Sequence, residues 1–452
     1  MKRKIEEEFS AFYRRNAKEA LLVDGARQVG KTFSIREFGK KNFSSVVEIN
    51  FIENPRAKAI FNDVASAEDV LMRISGLPGA KLIPGETLIF FDEVQECPEV
   101  VTYIKFLVDE GSYRYILSGS LLGVELKDLR SAPVGYLREI RMFPLSFGEF
   151  IRAVGVPETV VDHLRSRWQE EKAVDAVIHD RMKTLFRTYL VIGGMPAAVQ
   201  AYLDTKNIAE VVKVQRSILA AYRKDATKYA RENKLDIVRV MDLIPEELNK
   251  KNRRFFVSDL MAGGRYERLE DNFIWLKEAG IALPCPVASE AKVPLRLSQK
   301  ENFFKFFMND VGLLAAMYMD GLQFRILSGE TEINNGAVYE NFVAQELTAH
   351  GFPLHYYNGE DVGEVDFLVE QGGRVLPLEA KSGQHYKRHA ALDHLLAKDG
   401  LGIPEAKVLT NANFSRNGKI AYQPIYLIMF LDHDGLPENA VFELPSFDQL
   451  PR

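Results

Sequence analysis

The sequence predicts an α/β protein with more than one domain, and three observations support this. A short apolar run, "ALLVD" at residues 20–24, leads through a glycine loop into a stretch compatible with a helix. The continuous apolar run in "TLIFFDE", residues 87–93, is typical of a strand buried inside a parallel sheet. A second alternation of helix and strands follows Gly336. With 452 residues, of which 46% are hydrophobic, the chain is long enough for two to four domains.

The elements divide the chain into four predicted regions. Strands "SSVVEINF", "YRYILSGS" and "GYLREIRMF" join the two runs above, so residues 1–150 are expected to form a parallel sheet with helical crossovers. Residues 151–230 have helical periodicity interrupted by "GGMPAAV", which favours a helical lid. Residues 231–320 combine helical segments with the short apolar "ALPCPV" and "VPLRLS", which favours a winged-helix connector. Residues 321–452 contain a helix, three strands ("PLHYY", "EVDFLVE" and "RVLPLEAKS"), a helix and the strand "AKVLT", and are expected to form a second α/β domain.

Charge and cysteine content narrow the class of protein. The net charge of −5 excludes a uniformly basic coat for nucleic acid, although local basic faces remain compatible with it. The only cysteines, Cys97 and Cys285, are too far apart in sequence for a disulfide framework or a zinc knuckle, so a reducing, cytoplasmic setting is expected. The longest apolar run, "IYLIMFL", is too short to span a bilayer. No membrane insertion is predicted.

A phosphate-binding loop stands between the first strand and the first crossover helix. "GARQVGKT" matches G-x-x-x-x-G-K-[ST] without departure. The glycines let backbone N–H groups curl around a phosphate at a helix N-terminus, the lysine reaches the outer phosphates, and the threonine hydroxyl ligates Mg²⁺. The predicted ATP-binding residues are Gly25, Ala26, Arg27, Gln28, Val29, Gly30, Lys31 and Thr32.

An acidic pair follows the buried strand "LIFF". Asp92 emerges at the strand end, where it can hold Mg²⁺, and Glu93 can polarise the attacking water. The pair predicts hydrolysis of the bound nucleotide. Ser118 and Ser120, at the end of the next strand, are placed where a γ-phosphate sensor would lie, although small residues there are also common turn formers.

Arginines for the transition state have three candidates, Arg130, Arg138 and Arg141. One of them could be delivered to a neighbouring subunit of a homo-oligomer. The sequence does not choose among them, and solvated surface arginines are the plainer interpretation.

Several of these motifs together resemble a known family. "GARQVGKT", "FFDEVQ", "SGS", "MFPLSFGEF", "GGMP" and "YENFVAQEL…EVDFLVE…PLEAKS" are similar to the prokaryotic AAA-family ATPases that end in a domain of unknown function with a PD-(D/E)XK, restriction-endonuclease-like fold. The resemblance implies a P-loop NTPase core at 1–150 and a nuclease-like domain at 321–452. The "GGMP" stretch resembles the element with which the lids of signalling ATPases touch adenine, and Pro196 would be the contacting residue. An ordinary helix break is the alternative.

A second cluster lies in the C-terminal region. Glu379 and Lys381, two apart on a strand, project to one side, and Asp366 begins the strand that a hairpin through Gly372-Gly373 pairs with them. Two carboxylates would hold Mg²⁺ and the lysine would stabilise charge on a scissile phosphate. The resemblance adds Glu340 as a further metal ligand, with Glu346 as its alternate. An exposed ion-pair strand is the competing interpretation, and His385 and His389 are expected on a surface helix.

Basic residues concentrate in "KKNRRFF" and "GGRYER", between 250 and 268, where nucleic-acid phosphates could be contacted. The sequence therefore predicts a Mg²⁺-dependent ATPase with a nuclease-like domain that acts on or near DNA. The rival is a nucleotide-driven switch or scaffold whose C-terminal domain only binds a partner.

Overall fold

The computed structural model describes residues 1–15, 18–120, 122, 135–229, 234–250, 270–318, 320–330, 335–433 and 441. Within these ranges the strands form two sheets, one of five strands and one of eight. No helix among the described residues is both long and apolar enough to cross a membrane.

The first sheet is parallel throughout. Its strands are β1 (Ala20–Asp24), β2 (Ser45–Asn50), β3 (Thr87–Asp92), β4 (Arg114–Ser118) and β5 (Leu137–Arg141). Their order across the sheet is β2-β3-β4-β1-β5, and all four pairings are parallel. The parallel sheet predicted for residues 1–150 is confirmed.

Helices cover both faces of this sheet. They are α1 (Ile5–Arg14), α2 (Lys31–Asn42), α3 (Ala67–Ser75) and α4 (Glu99–Glu110), with 3-10 turns at Pro55–Phe61 and Val94–Glu96. Successive residues of a strand point to opposite faces, so Val23 and Phe90 enter one core while Leu22 and Phe91 enter the other. This double burial explains why β3 is apolar without alternation.

A helical region follows the first sheet. It comprises α5 (Phe147–Ala153), α6 (Glu158–Gln169), α7 (Ala176–Ile192), α8 (Pro196–Thr205), α9 (Ile208–Tyr229), α10 (Lys234–Asn249) and α11 (Glu270–Glu278). Ser146 and Glu149 form a capping box at the start of α5. "GGMP" is the break between α7 and α8, with Pro196 as the first residue of α8. The helical periodicity of 151–230 thus corresponds to helices, whereas their role as a lid stays a prediction.

The strands of the second sheet lie between residues 282 and 424. Its strands are β6 (Ala282–Ala288), β7 (Gln299–Met308), β8 (His355–Gly359), β9 (Gly363–Gln371), β10 (Arg374–Lys381), β11 (Ala406–Thr410), β12 (Ser415–Asn417) and β13 (Ile420–Pro424). Their order is β12-β13-β11-β10-β9-β8-β6-β7. The accompanying helices are α12 (Val311–Met317), α13 (Leu322–Ser328), α14 (Gly336–Ala349) and α15 (Ala390–Ala397), with 3-10 turns at Leu295–Ser298 and Ile425–Phe430.

The division expected at residue 320 does not coincide with the edge of a sheet. Strands β6 and β7, assigned from sequence to a winged helix, extend the C-terminal sheet, because β6 pairs with β8 through Val287 and Ala288. Their proline-interrupted pattern, "ALPCPV", looks like a small separate wing, but Cys285 and Phe307 are fully buried between the sheet and its helices. The winged-helix prediction is not confirmed.

Candidate nucleotide site and C-terminal cleft

The phosphate-binding loop joins β1 to α2 and adopts a conformation that requires its glycines. Gly25 has φ 147° and Gly30 has φ 96°, both outside the range that other residues readily adopt. A Cβ at Gly25 would lie 2.2 Å from the carbonyl oxygen of Met142. Gly30 is the N-cap of α2, so the loop ends at a helix N-terminus, which favours anions.

Lys31 is folded back into the loop. Its Nζ donates to the carbonyl oxygens of Gly25 (2.7 Å) and Ala26 (3.0 Å). Burial lowers the pKa of Lys31 to about 8, and the nearby carboxylates of Glu93, Asp24 and Asp92 oppose that shift. The Lys31 ammonium group is thus held inside the loop, where it would attract an anion such as a phosphate group.

Asp92 is the centre of a buried hydrogen-bond network at the carboxyl edge of the sheet. Its carboxylate accepts from the Thr32 hydroxyl at 3.0 Å, from the Asn50 amide at 2.9 Å and from the Ser118 hydroxyl. Burial raises the pKa of Asp92, whereas the bonds from Ser118 and Thr32 lower it. The structure thus brings together three residues predicted from sequence, Thr32, Asp92 and Ser118, and adds Asn50.

Glu93 follows directly in a left-handed conformation, with φ 57°. Its side chain is half-buried and accepts a hydrogen bond from the Gln95 amide. A non-glycine residue in this conformation costs roughly 1 kcal/mol or more and is commonest at functional sites. Glu93 therefore lies directly beside Asp92 at the end of β3 and is hydrogen-bonded to Gln95.

Two further predicted residues lie around the loop. The Ser120 hydroxyl accepts a long hydrogen bond, 3.4 Å, from Nε of Arg27, and Arg27 is paired with the buried Asp225 of α9. Pro196 lies against the loop, since its Cγ would be 3.5 Å from a Cβ at Gly30. This position agrees with the predicted contact to a bound nucleotide, and the contact itself stays a prediction.

The described candidate arginines have structural partners. Arg138 forms ion pairs with Glu8 and Glu19. Arg141 donates to the carbonyl oxygen of Lys277 at 3.1 Å and lies 3.7 Å from Asp24, so it joins the first sheet to α11. Arg130 lies outside the described residues.

In the C-terminal sheet, the β9–β10 hairpin brings its predicted residues together. The backbone N–H of Ala380 donates to Asp366 at 2.9 Å, and the N–H of Asp366 donates to Glu379 at 3.3 Å. Lys381 donates to Glu379 at 2.6 Å. Burial raises the pKa of Glu379, and repulsion from Asp366 adds to the rise.

A cleft of about 860 Å³ opens over this hairpin. Its lining includes three carboxylates from two elements, Glu340 of α14 and Glu364 and Asp366 of β9. It also includes the cationic side chains of Lys250, Lys381 and Arg388. Glu340 of α14 thus shares a cleft with Asp366 and Lys381, and Glu379 adjoins it through its hydrogen bonds. His385 also lines this cleft.

A buried lysine that sequence reasoning missed lies beside the cleft. Lys305 of β7 is fully buried, with Nζ 2.7 Å from Oε1 of Glu364 and 3.8 Å from Oε2 of Glu340. Its ammonium group also lies over the ring of Tyr356, 4.9 Å from the centroid. Within the described ranges, no three His, Cys, Asp or Glu residues form a group able to hold a metal ion. The metal set Glu340, Asp366 and Glu379 therefore stays a prediction.

Two sequence-level alternatives are corrected. Glu346 does not face the cleft: it is fully buried, and its Oε1 accepts from the backbone N–H of Phe147 at 2.7 Å. His389 precedes α15 and is buried, with Nε2 2.8 Å from the Tyr422 hydroxyl, so it is not on a surface helix. The basic segment predicted between 250 and 268 lies outside the described residues except for Lys250. Lys250 lines the cleft.

Protein-family models match three parts of the chain. Residues 17–151 match a family described as "AAA domain". This part of the chain is similar to AAA domains, and residues 17–151 are called the AAA domain below. Residues 183–324 and 335–426 match two families described only as domains of unknown function (DUF8612 and DUF4143), so the nuclease-like prediction is not confirmed. No curated protein matches the chain.

Three solved structures are among those to which the chain is similar. The Walker-type ATPase PABY2304 of Pyrococcus abyssi is 15% identical over 70% of this chain and 96% of that one, with TM-score 0.41. Aeropyrum pernix ORC1 in complex with DNA is 14% identical over 72% and 95%, with TM-score 0.32. The Thermotoga maritima RuvB Holliday junction branch migration motor is 14% identical over 64% and 89%, with TM-score 0.28. Because these TM-scores lie below 0.5, the assignment of the AAA domain rests on residues 17–151 themselves.

Arg3, which belongs to no sequence motif, makes a buried contact with the AAA domain. Arg3 is buried, and its guanidinium donates to the carbonyl oxygens of Val29 (3.0 Å) and Phe143 (2.6 Å) and to Glu149 (3.1 Å). Arg3 therefore fixes the phosphate-binding loop of the AAA domain against α5. A charged residue near a chain end is usually solvated, so composition gave no signal for it.

Proposed function

We propose that this protein binds ATP with Mg²⁺ at residues 25–32 and hydrolyses it with Glu93 as the residue that activates water. The observation that carries the proposal is the contact between Thr32 and Asp92, 3.0 Å, at the mouth of the loop, with Glu93 immediately after Asp92. This contact holds together the two oxygen donors that a P-loop ATPase uses for its metal.

The residues present fit both groups. The loop between β1 and α2 offers backbone N–H groups, a helix N-terminus and the Lys31 ammonium group, which are what a chain of phosphates needs. A hydroxyl and a carboxylate are hard oxygen donors of the kind that Mg²⁺ prefers. Bound Mg²⁺ supplies neutralisation of the charge that develops on the phosphates during transfer.

The chain's own residues supply the rest of the chemistry. Lys31 leaves the Gly25 and Ala26 carbonyl oxygens to pair with the outer phosphates. Glu93 orients a water and accepts its proton. Ser118, hydrogen-bonded to Asp92 at the strand end, would contact the transferred phosphate.

The test of this proposal is ATP turnover by the full chain. The wild-type protein should bind ATP, and it should release phosphate only when Mg²⁺ is present. Lys31→Ala should abolish ATP binding. Lys58→Ala is the matched control, because Lys58 is a partly exposed lysine paired with Glu96 in the same domain. Phosphate release by Lys31→Ala at the wild-type rate would overturn the proposal.

The second candidate function concerns the C-terminal cleft, which we propose binds the phosphodiester backbone of a nucleic acid. The cleft is lined by three cationic side chains, those of Lys250, Lys381 and Arg388, and by Asp366. The cationic groups favour the binding of phosphates. Cleavage of the bound strand requires a divalent cation at Asp366 and Glu379. The pairing of Lys305 with Glu340 and Glu364 favours the alternative, a module that binds and does not cut.

One experiment separates these outcomes. A labelled single-stranded oligonucleotide is titrated into wild type and into Lys381→Ala/Arg388→Ala, with Mn²⁺ or with a chelator, and is then examined for cuts. Weaker binding by the double variant supports a phosphate site. Cuts that require Mn²⁺ and disappear in Asp366→Asn indicate a nuclease, intact strands indicate a binding module, and the absence of any binding overturns this candidate.

A further inference from the structure

A short segment of chain links the C-terminal cleft to two turns that pack on the phosphate-binding loop. It consists of residues 305–310, the end of β7 and the two residues after it. At its first residue, Lys305 is buried against Glu364 and Glu340, which line the cleft. Met308 is fastened to the same helix as Glu340, since its N–H and C=O both bond to the side chain of Asn341, at 2.7 and 3.0 Å.

At its last residue, the 305–310 segment contacts the turn that carries Pro196. Asp310 is fully buried and accepts a hydrogen bond from the backbone N–H of Gly194. The contact is closely packed. A Cβ at Gly193 would lie 2.1 Å from Oδ1 of Asp310. A Cβ at Gly312 would lie 2.5 Å from backbone atoms of Ile192 and Gly193. The same turn places Pro196 against Gly30 of the phosphate-binding loop.

A second route leaves the segment at Asn309. The backbone N–H of Asn309 donates to the carbonyl oxygen of Ile281 at 3.0 Å. The adjacent Gly280 packs on the loop itself, because a Cβ there would lie 3.2 Å from the backbone nitrogen of Ala26. The segment is therefore connected to the loop by two routes, one through Pro196 and one through Gly280.

We propose that nucleotide binding at the phosphate-binding loop displaces the 305–310 segment and thereby moves Lys305 relative to the carboxylates of the C-terminal cleft. The inference rests on the proposed binding of ATP to residues 25–32. Close-packed backbone contacts transmit small displacements instead of absorbing them. The cleft is thus under the control of the nucleotide state of the AAA domain.

The protein contains a natural reporter of this movement. Cys285 of β6 pairs directly with Lys305 across the β6–β7 ladder and is fully buried, so a thiol reagent reaches it only when the ladder opens. Cys97 is the other cysteine of the chain, and Cys97→Ser leaves a single reporter. The rate of Cys285 labelling is measured without nucleotide and with a saturating non-hydrolysable ATP analogue and Mg²⁺.

The expected result is a change of about fivefold or more in the labelling rate on nucleotide binding. Asp310→Asn, in the Cys97→Ser background, should abolish that change while still binding the analogue. Both carboxylate oxygens of Asp310 accept from backbone N–H groups, one from Gly194 and one from Leu313, whereas asparagine has one accepting oxygen and turns an NH2 group toward the other donor. Asp310→Ser is the second variant, since serine retains the N-cap of α12. Asp320→Asn, at an exposed aspartate, is the matched control and should respond like its parent.

The outcomes are distinct. An unchanged Cys285 rate in a protein that demonstrably binds the analogue would overturn the inference, and so would a full response in both Asp310 variants. A protein that binds no nucleotide would instead overturn the proposed function, and the inference with it.

Discussion

The backbone N–H of Phe147 donates a 2.7 Å hydrogen bond to Oε1 of Glu346, joining residues 199 positions apart. Phe147 begins α5, directly after the first sheet, and Glu346 belongs to α14 of the C-terminal unit. Phe147 also packs edge-to-face on Phe342, one turn earlier in α14. Helices α5 and α14 therefore share a buried contact, in which a carboxyl group accepts the hydrogen bond.

Stability should depend on the ionisation of Glu346. Burial raises the pKa of this carboxyl group to about 8, from an ordinary 4.5. The folded protein therefore retains a proton that the unfolded chain loses, so this group's stabilisation is complete below pH 4.5 and declines up to about pH 8. Glu346→Gln keeps an acceptor for Phe147 and cannot ionise.

The measurement is the melting temperature from pH 5 to pH 8.5. Wild type should lose more stability than Glu346→Gln over this range, by a few kcal/mol at about 1.4 kcal/mol per unit of pKa shift. Glu360→Gln, at an exposed glutamate, should follow wild type. Parallel curves for wild type and Glu346→Gln would show that Glu346 is ionised in the folded protein.

The "GGMP" turn should tolerate no side chain at its second glycine. A Cβ at Gly194 would lie 2.0 Å from the carbonyl oxygen of Leu145. This oxygen is a backbone atom, which cannot move aside as the end of a flexible side chain could. Gly194→Ala should therefore lower the free energy of unfolding by about 3 kcal/mol or more and weaken ATP binding by displacing Pro196. Gly76→Ala is the control, since a Cβ there finds only ordinary contacts at 3.5 Å or more. Equal melting temperatures for the two variants would contradict the account.

Removing Lys305 should destabilise the protein through the charge it leaves behind. Glu340 is 1% exposed and Lys305 is fully buried, so Lys305→Met deprives a buried carboxylate of a nearby cation at a cost of about 3–5 kcal/mol. Lys305→Met/Glu340→Gln should recover much of that loss. Chemical denaturation of the two single variants and the double variant measures the coupling. Additive losses would show that Lys305 and Glu340 are independent.

The residues of the candidate nucleotide site could be named from the sequence because their signals are local. The loop, the strand before it and the acidic pair after β3 are each contained in eight residues or fewer, and a parallel sheet brings strand ends to one edge. Asn50 and Asp225 were missed because each contacts the site from an element far away in sequence.

The C-terminal site shows where such reasoning fails. Every residue of α14 from Ala337 to Leu347 is buried, so no polar face indicates which of Glu340 and Glu346 meets the cleft. Lys305 lies in β7, which joins the C-terminal sheet only through its neighbour β6, and the pairing of β6 with β8 is non-local. A buried lysine is recognisable only once its partners are in place.

The central claim is that Glu93 activates water for ATP hydrolysis, and single-turnover hydrolysis by Glu93→Gln tests it most directly. The account predicts ATP affinity close to that of wild type and hydrolysis slower by roughly 10²–10⁴-fold, because only the proton-accepting step is lost. Glu96→Gln, in the same 3-10 turn region and paired with Lys58, should hydrolyse ATP at the wild-type rate. Hydrolysis by Glu93→Gln at the wild-type rate would contradict the account.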